Sequence, residues 1–480
     1  MSPRFTLLAL TGLLALGACT EEPTEPANPS SPSPAVSTSS GMVAINVVLK
    51  AKPTSAQLAQ LNALGQVKHQ FTEINGLTMA ARGSQLAAVR ALSFVKGAAI
   101  DQDLDFGPHT DLVPVSDLTS GFSTWNQDAI NATVAPISNA RAVSQTGEGV
   151  YVGILDTGLL NTWPQYFPQE RIATQYARTF LGGGAADLGA ITSPGGDSWQ
   201  HDKCAHGTAT TSEILGYQIS GVFFQGTAPK ATIIPVQLHS EGSINSANRP
   251  CPFSDAVAAA GLLYFAQLKM GPLAGQPLVV NNSWGSSSPD PLTQAAVDFA
   301  LAHGVLLVFS AGNAGDSGMS YPGALPQVIS AAASGWIEEW TSDTWWFATD
   351  VADPTDPEDF YIVDFSSRQK SGQDLDVAAP GSWVLAPFQL QRGHADYFFL
   401  GGTSFAAPEV TGTVALMLQK NPALTEAQAE TAIENSAVPL GPGCRDVIDP
   451  NTGTAREICW EADATGAGLL DAAAAVAATP

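Results

Sequence analysis

The sequence predicts an α/β protein whose main domain, residues 140–480, is a mainly parallel, doubly wound sheet, with a small α+β domain ahead of it over 42–105. In the main domain, continuous apolar runs of strand length alternate with stretches of helical periodicity. Such runs are typical of parallel strands that helices cover on both faces. The smaller domain has the pattern strand, helix, strand, strand, helix, strand, which is the ferredoxin-like plan.

The N-terminal residues predict export from the cell. The apolar stretch over 5–16 is too short to span a bilayer, so residues 1–19 are interpreted as a signal peptide. The signal ends in Leu-Gly-Ala-Cys, which resembles a bacterial lipobox in which Cys19 becomes the lipidated first residue. The alternative is ordinary signal cleavage near Ala18, with Cys19 lost or incidental.

The next segment and the overall charge suit a protein that works outside the cell. Residues 20–41 are rich in Pro, Ser, Thr and Glu without apolar periodicity, which predicts a disordered linker. The 20 basic and 44 acidic residues give a net charge of −24, which argues against a nucleic-acid-binding surface and favours solubility. We expect an envelope lipoprotein precursor, a secreted protein, or both, with membrane contact only through a lipid on Cys19.

The elements of the small domain follow one another closely. The strand patterns VAINVVLK, VKHQFTE, LTMAAR and VKGAAIDQDL are interleaved with the helical patterns PTSAQLAQLNAL and SQLAAVRAL. Asn75-Gly76 is a turn signal between the second and third strands. Residues 106–139 are weakly patterned, and we expect them to hold a processing segment and the N-terminal arm of the main domain.

The elements of the main domain are predicted from the same two periodicities. The strand-like runs are VYVGIL, TIIPVQL, PLVVNNS, VLLVFS, QVISAAA and DLDVAAP. The helical patterns cover 206–216, 254–269, 291–303 and 404–419. A parallel sheet of this kind places reactive side chains at the carboxyl ends of strands and at the N-termini of helices.

Four polar residues stand at such ends. Asp156 ends VYVGILD, Asn313 ends VLLVFSAGN, His206 opens a helical pattern, and Ser404 opens another within GGTSFAAP. An alcohol is a poor nucleophile near neutral pH, so Ser404 needs a base, a group that orients the base, and donors for the developing oxyanion. His206, Asp156 and Asn313 can supply these three functions.

The motifs around these residues resemble those of the subtilisin-like serine proteases, the subtilase family. The four motifs occur in the family's order, as Asp156-Thr157-Gly158, His206-Gly207-Thr208, Ala311-Gly312-Asn313 and Gly402-Thr403-Ser404-Phe405-Ala406-Ala407-Pro408. Three accessory motifs are similar as well, at 226–231, 282–285 and 321–324. One departure is Phe405, which stands where the family commonly has Met.

The resemblance implies a subtilisin-type fold and a serine endopeptidase that needs no cofactor for its chemistry. His206, oriented by Asp156, would deprotonate Ser404 as Ser404 attacks a peptide carbonyl. Asn313 and the backbone N–H of Ser404 would hold the oxyanion, and water would then hydrolyse the acyl-enzyme. Structural calcium occurs in such enzymes, and the sequence locates no calcium site.

The resemblance also implies how substrate binds. An extended peptide would pair as an extra strand with two chain segments, and Ser320 would line the pocket for the side chain before the cleaved bond, where we expect a large apolar residue. The residues of the two segments are Ser283, Trp284, Gly285, Ser310, Ala311 and Gly312.

The resemblance further implies synthesis as an inhibited precursor. The domain over 42–105 is similar to the family's inhibitory propeptide, and cleavage is expected after Leu104 and before Trp125. The expected partners are therefore protein or peptide substrates and the chain's own propeptide. Residues 42–105 could instead form an ordinary accessory domain.

Two functions of other classes stay open. One is a surface lipoprotein that binds peptides without cutting them. The other is a sedolisin-like acid peptidase, which shares the fold and a Gly-Thr-Ser motif but uses Glu as its base, so His206 argues against it.

Four cysteines remain once Cys19 is set apart, an even number that suits two disulfides in an exported chain. The favoured pairs are Cys204 with Cys251 and Cys444 with Cys459, although four cysteines allow three pairings. A rival interpretation is a metal cluster formed by His201, Asp202, Cys204 and His206.

Residues 334–362 form the main insertion relative to the family. They contain Trp336, Trp340, Trp345 and Trp346 with a series of acidic residues and no Lys or Arg. The insertion could bind calcium or form an aromatic rim to the cleft. The alternative is a solvated loop that packs its tryptophans on the body of the protein.

Overall fold

The computed structural model describes most of the chain beyond the linker. The described ranges are 41–104, 113–114, 124–134, 140–202, 204–219, 222–239, 251–340, 351–391, 394–450 and 452–480. The predicted signal peptide with Cys19, almost all of the linker, most of the processing segment, and Trp345 and Trp346 lie outside them. Within these ranges no helix has both the length and the apolar character to cross a membrane.

The small domain has the predicted order of elements. They are β1 (Met42–Leu49), α1 (Ser55–Leu64), β2 (Gly65–Phe71), β3 (Gly76–Arg82), α2 (Leu86–Arg90) and β4 (Val95–Ile100). The strands form an antiparallel sheet in the order β2-β3-β1-β4, as the ferredoxin-like plan requires. Thr54 and Gln57 form a capping box at the start of α1, and Asn75 takes the left-handed conformation at the predicted turn.

Three short elements follow the small domain. They are β5 (Asp103–Leu104), β6 (Val113–Pro114) and α3 (Trp125–Ala129). Both strands pair with the main domain: β5 is antiparallel to residues Phe253–Ser254, and β6 is antiparallel to the strand His394–Leu400.

The main domain contains the remaining elements. Its strands are β7 (Tyr151–Asp156), β8 (Arg178–Gly182), β9 (Ile191–Thr192), β10 (Gly216–Ile219), β11 (Val222–Gln225), β12 (Thr232–His239), β13 (Phe253–Ser254), β14 (Leu278–Asn282), β15 (Leu306–Ser310), β16 (Ile329–Trp336), β17 (Phe360–Ile362), β18 (Val377–Pro380), β19 (Val384–Gln391), β20 (His394–Leu400), β21 (Gly443–Asp449) and β22 (Thr454–Trp460). Its helices are α4 (Gly184–Asp187), α5 (His206–Leu215), α6 (Asp255–Met270), α7 (Pro291–Ala302), α8 (Thr403–Lys420), α9 (Glu426–Ser436) and α10 (Ala472–Ala478).

The main sheet is mostly parallel. In the described residues it has the order β17-β16-β15-β14-β7-β12-β8-β9, with β18 also paired to β16. Only the pairings of β17 and β9 are antiparallel. The predicted α/β fold is confirmed, and each of the six predicted strand runs contains a strand of this sheet.

Helices cover both faces of the sheet. Along β15, Leu306 and Val308 belong to the core cluster that contains residues of α5 and α8. Leu307 and Phe309 belong to the cluster that contains residues of α6 and α7. This alternation explains why the strands are continuously apolar, since neither face meets water.

The insertion packs its described tryptophans on the body of the protein. Trp336 is 2% exposed and stacks on Trp125, with ring centroids 6.4 Å apart. Trp340 makes an edge contact with Trp383 at 5.5 Å. Glu339 is buried beneath them and accepts hydrogen bonds from Tyr361 and Ser382. For these two tryptophans, the packed-loop alternative describes the structure and an open aromatic rim does not.

Both favoured disulfides, Cys204–Cys251 and Cys444–Cys459, are present. Because Cys204 is bonded to Cys251, it cannot be a ligand in the rival metal cluster. The second disulfide joins β21 to β22, a hairpin that the sequence patterns did not indicate.

Candidate active site

Asp156 and His206 form a buried pair at the edge of the sheet. Asp156 is the last residue of β7, and His206 is the first residue of α5. The imidazole Nδ1 lies 2.9 Å from Asp156 Oδ1 and 3.0 Å from Oδ2. The carboxylate is 0% exposed and the imidazole residue 1%. The contact fixes the tautomer in which Nδ1–H is donated to the carboxylate and Nε2 is the basic nitrogen.

The residues that follow each motif hold this pair in place. The backbone N–H of Gly207 donates to Thr157 Oγ1 at 2.8 Å, which joins the His-Gly-Thr motif to the Asp-Thr-Gly motif. Thr210, one turn into α5, donates to Asp156 Oδ2 at 3.3 Å. A Cβ at Gly207 would overlap the carbonyl oxygen of Gly158, so this approach requires glycine.

Asp202 supports the Asp156–His206 pair indirectly, through a hydrogen bond with Thr157. Thr157 Oγ1 donates to Asp202 Oδ2 at 2.8 Å, and the N–H of Cys204 donates to Asp202 Oδ1 at 2.8 Å. Burial, with a smaller contribution from the charge of Asp156, raises the pKa of Asp202 to about 7. Sequence reasoning considered Asp202 only as a metal ligand. The spacing of Asp202 from His206 gave no signal of this support role.

Ser404 lies in the first turn of α8. It is 5% exposed, and its hydroxyl donates to the carbonyl oxygen of Ser283 at 3.3 Å. Ser283 Oγ donates in turn to the carbonyl oxygen of Ser404 at 2.7 Å, which ties α8 to the residue after β14. The ring of Phe405 lies 5.9 Å from the ring of His206. The helix that begins at His206 and the helix that carries Ser404 therefore meet at their N-termini.

Asn313 is oriented by the residue before Ser404. Its Oδ1 accepts hydrogen bonds from Thr403 N and Thr403 Oγ1, both at 2.9 Å. Thr403 Oγ1 in turn accepts from the N–H of Gly312 at 3.1 Å. Because the amide oxygen of Asn313 faces Thr403, its Nδ2 donor points away from Thr403. Asn313 can therefore donate to an oxyanion, and no sequence pattern had indicated that Thr403 sets this orientation.

The predicted substrate-binding residues lie next to one another. Ser283, Trp284 and Gly285 follow β14, Ser310 ends β15, and Ala311 and Gly312 come directly after it. Ser320 lies between the two segments, because a Cβ at either Gly285 or Gly312 would overlap the Ser320 side chain. Trp284 is buried against Phe253 and Phe309, with ring centroids 5.6 and 5.3 Å away.

Two groups of side chains in the described residues have metal-ligand spacing. One contains Cys444 and Cys459, which are joined in a disulfide. The other consists of Asp374, Asp376 and Glu430, and Asp376 already accepts hydrogen bonds from Ser330 N and Oγ. Carboxylates crowded together are common on acidic proteins, so this group alone does not identify a calcium site.

Comparison with known proteins identifies the family. The model of the subtilase family, Peptidase_S8, matches residues 147–467, which is more than half of the 480-residue chain. This chain belongs to the subtilase family. Subtilases are serine endopeptidases, and the residues matched include all four motif residues. The chain's own small domain lies ahead of the matched region.

The relatives of this subtilase include well-known bacterial proteases. It is 30% identical over 316 residues to subtilisin BL of Lederbergia lenta, an alignment that covers 65% of this chain and 91% of that protein. It is 28% identical over 328 residues to fervidolysin of Fervidobacterium pennivorans, covering 65% of this chain and 40% of that protein. The alignment thus spans well under two thirds of fervidolysin.

Solved structures share the fold of this subtilase. The crystal structure of fervidolysin, described as a keratinolytic enzyme related to subtilisin, superposes with a TM-score of 0.62 at 22% identity, covering 91% of this chain and 61% of that chain. The S41 psychrophilic protease gives a TM-score of 0.50 at 22% identity, covering 74% of this chain and 99% of its own. Identities this low bear on the fold alone.

Proposed function

We propose that this subtilase is an exported serine endopeptidase that hydrolyses peptide bonds through an acyl-enzyme on Ser404. The observation that carries the proposal is the buried Asp156–His206 pair at the N-terminus of α5, beside the N-terminus of α8 that holds Ser404. An imidazole held this way is a general base, and a serine at the start of a helix is well placed as its nucleophile.

The chemistry follows from the atoms present. Ser404 Oγ bonds to the carbonyl carbon of the substrate while its proton moves to His206 Nε2. The negative charge that develops on the carbonyl oxygen is held by Asn313 Nδ2 and the N–H of Ser404. The carbon–nitrogen bond then breaks, and the leaving amine takes the proton from the imidazolium. Water repeats the sequence on the acyl-enzyme, which releases the acid and restores Ser404.

The substrate class is an extended polypeptide. The backbone beyond β14 and β15 offers two edges to such a chain, and pairing of this kind gives affinity with little sequence selection. Gly285 and Gly312 have no side chains, which lets the Ser320 side chain pack between the edges, where it would line the pocket for the side chain that precedes the cleaved bond. We expect a large apolar residue there, beside Ser320.

The small domain is proposed to act as the inhibitory propeptide. The strand that follows it, β5, pairs with β13, and Leu104 is 2% exposed in the same core cluster as Phe253 and Trp284. Further along the chain, β6 pairs with β20, and β20 leads directly into the Ser404 motif. Among the described residues, Leu104 pairs with Phe253 and Val113 pairs with Phe399, so the stretch that connects them begins and ends on the main domain. Autocleavage is proposed to fall between Leu104 and Val113.

The interface of the propeptide contains three carboxyl groups. Asn46 donates to both Asp101 at 3.1 Å and Asp290 at 3.2 Å, and Asp101 also accepts the N–H of Ala256 at 3.0 Å. Asp255 lies beside them. Burial raises the pKa of all three carboxyls, to about 7 for Asp290. Protonation therefore favours the closed interface.

Export and lipidation are proposed from the sequence. A lipid on Cys19 would be attached to the propeptide side of the cleavage site. Cleavage would then free the enzyme from the anchor once the propeptide dissociates, so lipidation would mark the place of maturation and not the final location. The proposed peptide-bond hydrolysis itself requires no cofactor.

A serine-reactive fluorophosphonate and casein test the proposal. The full chain is expected to process itself, to degrade casein, and to be labelled at Ser404. Labelling should disappear in His206→Ala and in Ser404→Ala. A folded wild type that is neither labelled nor able to cut casein would support a peptide-binding lipoprotein instead. Casein cleavage at acid pH that survives His206→Ala would support the sedolisin-like alternative.

A further inference from the structure

Two buried glutamates connect the helices that carry the base and the nucleophile. Glu213 lies on α5, which begins at His206, and Glu409 lies on α8, which contains Ser404. Glu213 is 3% exposed and Glu409 is 0% exposed. Asn126 Nδ2 lies within hydrogen-bond distance of both carboxyl groups, 2.8 Å from Glu213 Oε2 and 2.5 Å from Glu409 Oε1, and two carboxyls this close in a buried site are most stable when one of them holds a proton.

The neighbouring donors show which glutamate holds the proton. Glu409 accepts from Asn126 Nδ2 at 2.5 Å, from Gln127 Nε2 at 3.0 and 2.9 Å, and from the hydroxyl of Thr227. Both oxygens of Glu409 are thus surrounded by donors, an environment that favours the carboxylate. Glu213 accepts from Asn126 at 2.8 Å and from the hydroxyl of Ser212 at 3.2 Å, so it has fewer donors than Glu409 and is left as the proton carrier.

No cation neutralises the pair. In the part of the chain that the structure describes, the ion pairs of Lys, Arg and His involve neither glutamate. Tyr217, whose pKa is raised by burial and by the two glutamates, donates its hydroxyl to the carbonyl of Leu385, and Arg141 donates to the carbonyl of Thr227, the residue whose hydroxyl reaches Glu409. A second ionisation would therefore place two adjacent anions in the core.

Burial raises the pKa of Glu409 to about 7 and raises the pKa of Glu213 well above its ordinary value. Repulsion between the two carboxyls acts in the same direction on Glu213. A proton bound this way stabilises the arrangement at low and neutral pH and is lost as the pH rises through the raised pKa.

We propose that Glu213 and Glu409 share one proton and act as positioning residues, holding α5 and α8 at the spacing that His206 and Ser404 need. Asn126 and Gln127 complete the unit by donating to the shared carboxylate. Both lie after the proposed processing segment, so they stay with the enzyme when the propeptide leaves. This inference rests on the proposed endopeptidase function.

The pair acts on turnover more than on binding. Loss of the proton forces the two carboxylates apart, and the helices that bear them shift with them. A shift of this kind changes the approach of Ser404 to His206, whereas the substrate-binding segments are hydrogen-bonded to α8 at Ser283 and Gly312 and keep their register with Ser404. We therefore expect the wild type to lose kcat on the alkaline side, with a smaller change in KM.

Two amide substitutions test the assignment of the proton. Glu213→Gln replaces the titrating proton with a permanent N–H donor to Glu409, so activity at neutral pH should persist and the alkaline loss of kcat should shift upward or disappear. Glu409→Gln instead turns an N–H group towards Asn126 and Gln127. Its kcat should fall about 10- to 100-fold at every pH, since ångström-scale misplacement costs up to about 10²-fold.

A matched control separates this effect from general stability. Glu339 is another buried carboxyl, with its pKa raised by burial to about 7, but it lies in the insertion. Glu339→Gln should leave the alkaline limb of kcat where it is in the wild type. Thermal unfolding of each variant at pH 7 and pH 9 reports whether a change in activity reflects unfolding.

Different results would overturn the endopeptidase function of the chain and the proton shared by Glu213 and Glu409. Absence of fluorophosphonate labelling in the wild type would overturn the function. Normal labelling with an unchanged alkaline limb in Glu213→Gln, or identical behaviour of the two amide variants, would overturn the shared proton. If Glu213→Gln does not fold, infrared spectra of Ser404→Ala and of Ser404→Ala combined with Glu409→Gln decide: part of the protonated-carboxyl band should be present at neutral pH in the first, vanish on alkaline titration, and be missing from the second. The absence of any such difference refutes the inference.

Discussion

Replacing Asn313 tests the proposed oxyanion contact most directly. The structure separates the two ends of this amide: Oδ1 accepts from Thr403 N and Oγ1, while Nδ2 is the end available to a substrate. Asn313→Asp keeps an acceptor for both Thr403 donors, removes the Nδ2 donor and adds a negative charge. Asn313→Ala removes both ends.

The expected loss is large in turnover and small in stability. Removing one oxyanion donor, as measured in a subtilisin itself, lowers kcat about 10²- to 10³-fold, equivalent to roughly 2.7–4 kcal/mol in the transition state. Asn313 is only partly buried, so water can replace its two accepted hydrogen bonds, each worth about 0.5–1.5 kcal/mol net. Both variants should therefore fold and process slowly. The Asp variant should be at least as impaired as the Ala variant, because its charge opposes the oxyanion.

The assay is steady-state cleavage of a chromogenic peptide, with the enzyme concentration set by titrating reactive Ser404. Thr403→Val is the matched control, since it keeps the backbone donor to Asn313 and loses the hydroxyl, which donates to Asn313 and accepts from Gly312. Its kcat should fall less than that of Asn313→Ala, because the Nδ2 donor of Asn313 remains. An Asn313→Asp enzyme that retains a tenth or more of the wild-type kcat would refute the reasoning. So would a loss confined to KM.

Three further outcomes are expected. Cys444→Ser opens the hairpin disulfide, whose 15-residue separation corresponds to about 3 kcal/mol of loop entropy, so calorimetry should show a lower unfolding temperature with kcat unchanged; an unaltered melting curve would contradict this. Propeptide release should accelerate above pH 7 in the wild type, because the raised pKa values of the interface carboxyls favour closure at lower pH. Asp290→Asn keeps the helix cap but cannot ionise, so a binding assay should show a weaker pH dependence, with the remainder due to Asp101 and Asp255. N-terminal sequencing of the released enzyme should place the cut within 105–112, and Ser404→Ala should remain uncut.

The sequence was informative where chemistry depends on short local motifs. Asp156, His206, Asn313 and Ser404 each follow an apolar run or open a helix, so their positions at strand and helix ends could be predicted from periodicity alone. The parallel order of the sheet was predictable for the same reason. A strand that is apolar along its whole length must be covered on both faces, and this is typical of parallel sheets packed between helices.

The parts that sequence could not reveal depend on contacts between distant segments. Glu213 sits in an apolar helical pattern in which a carboxyl is normally taken to face solvent, and its partner Glu409 is far away in the chain. Nothing local indicates that the amides of Asn126 and Gln127 meet them. The hairpin of β19 and β20 was missed because its strands alternate weakly and because its pairing with β6 is long-range.

The catalytic base and the buried carboxyl groups of this protein favour different pH ranges. His206 must be neutral to accept a proton, which favours activity at higher pH. Burial raises the pKa of Asp202, Glu409 and Asp376 to about 7, and none of these carboxyls has an ion-pair partner among the described residues. Groups with raised pKa values stabilise the fold below their ordinary pKa and lose that contribution as the pH rises through the raised value. Stability should therefore decline on the alkaline side while the base becomes competent, so the fold and the chemistry coexist over a window around neutrality. Replacing the buried carboxyls by amides should widen that window upward without touching the catalytic residues.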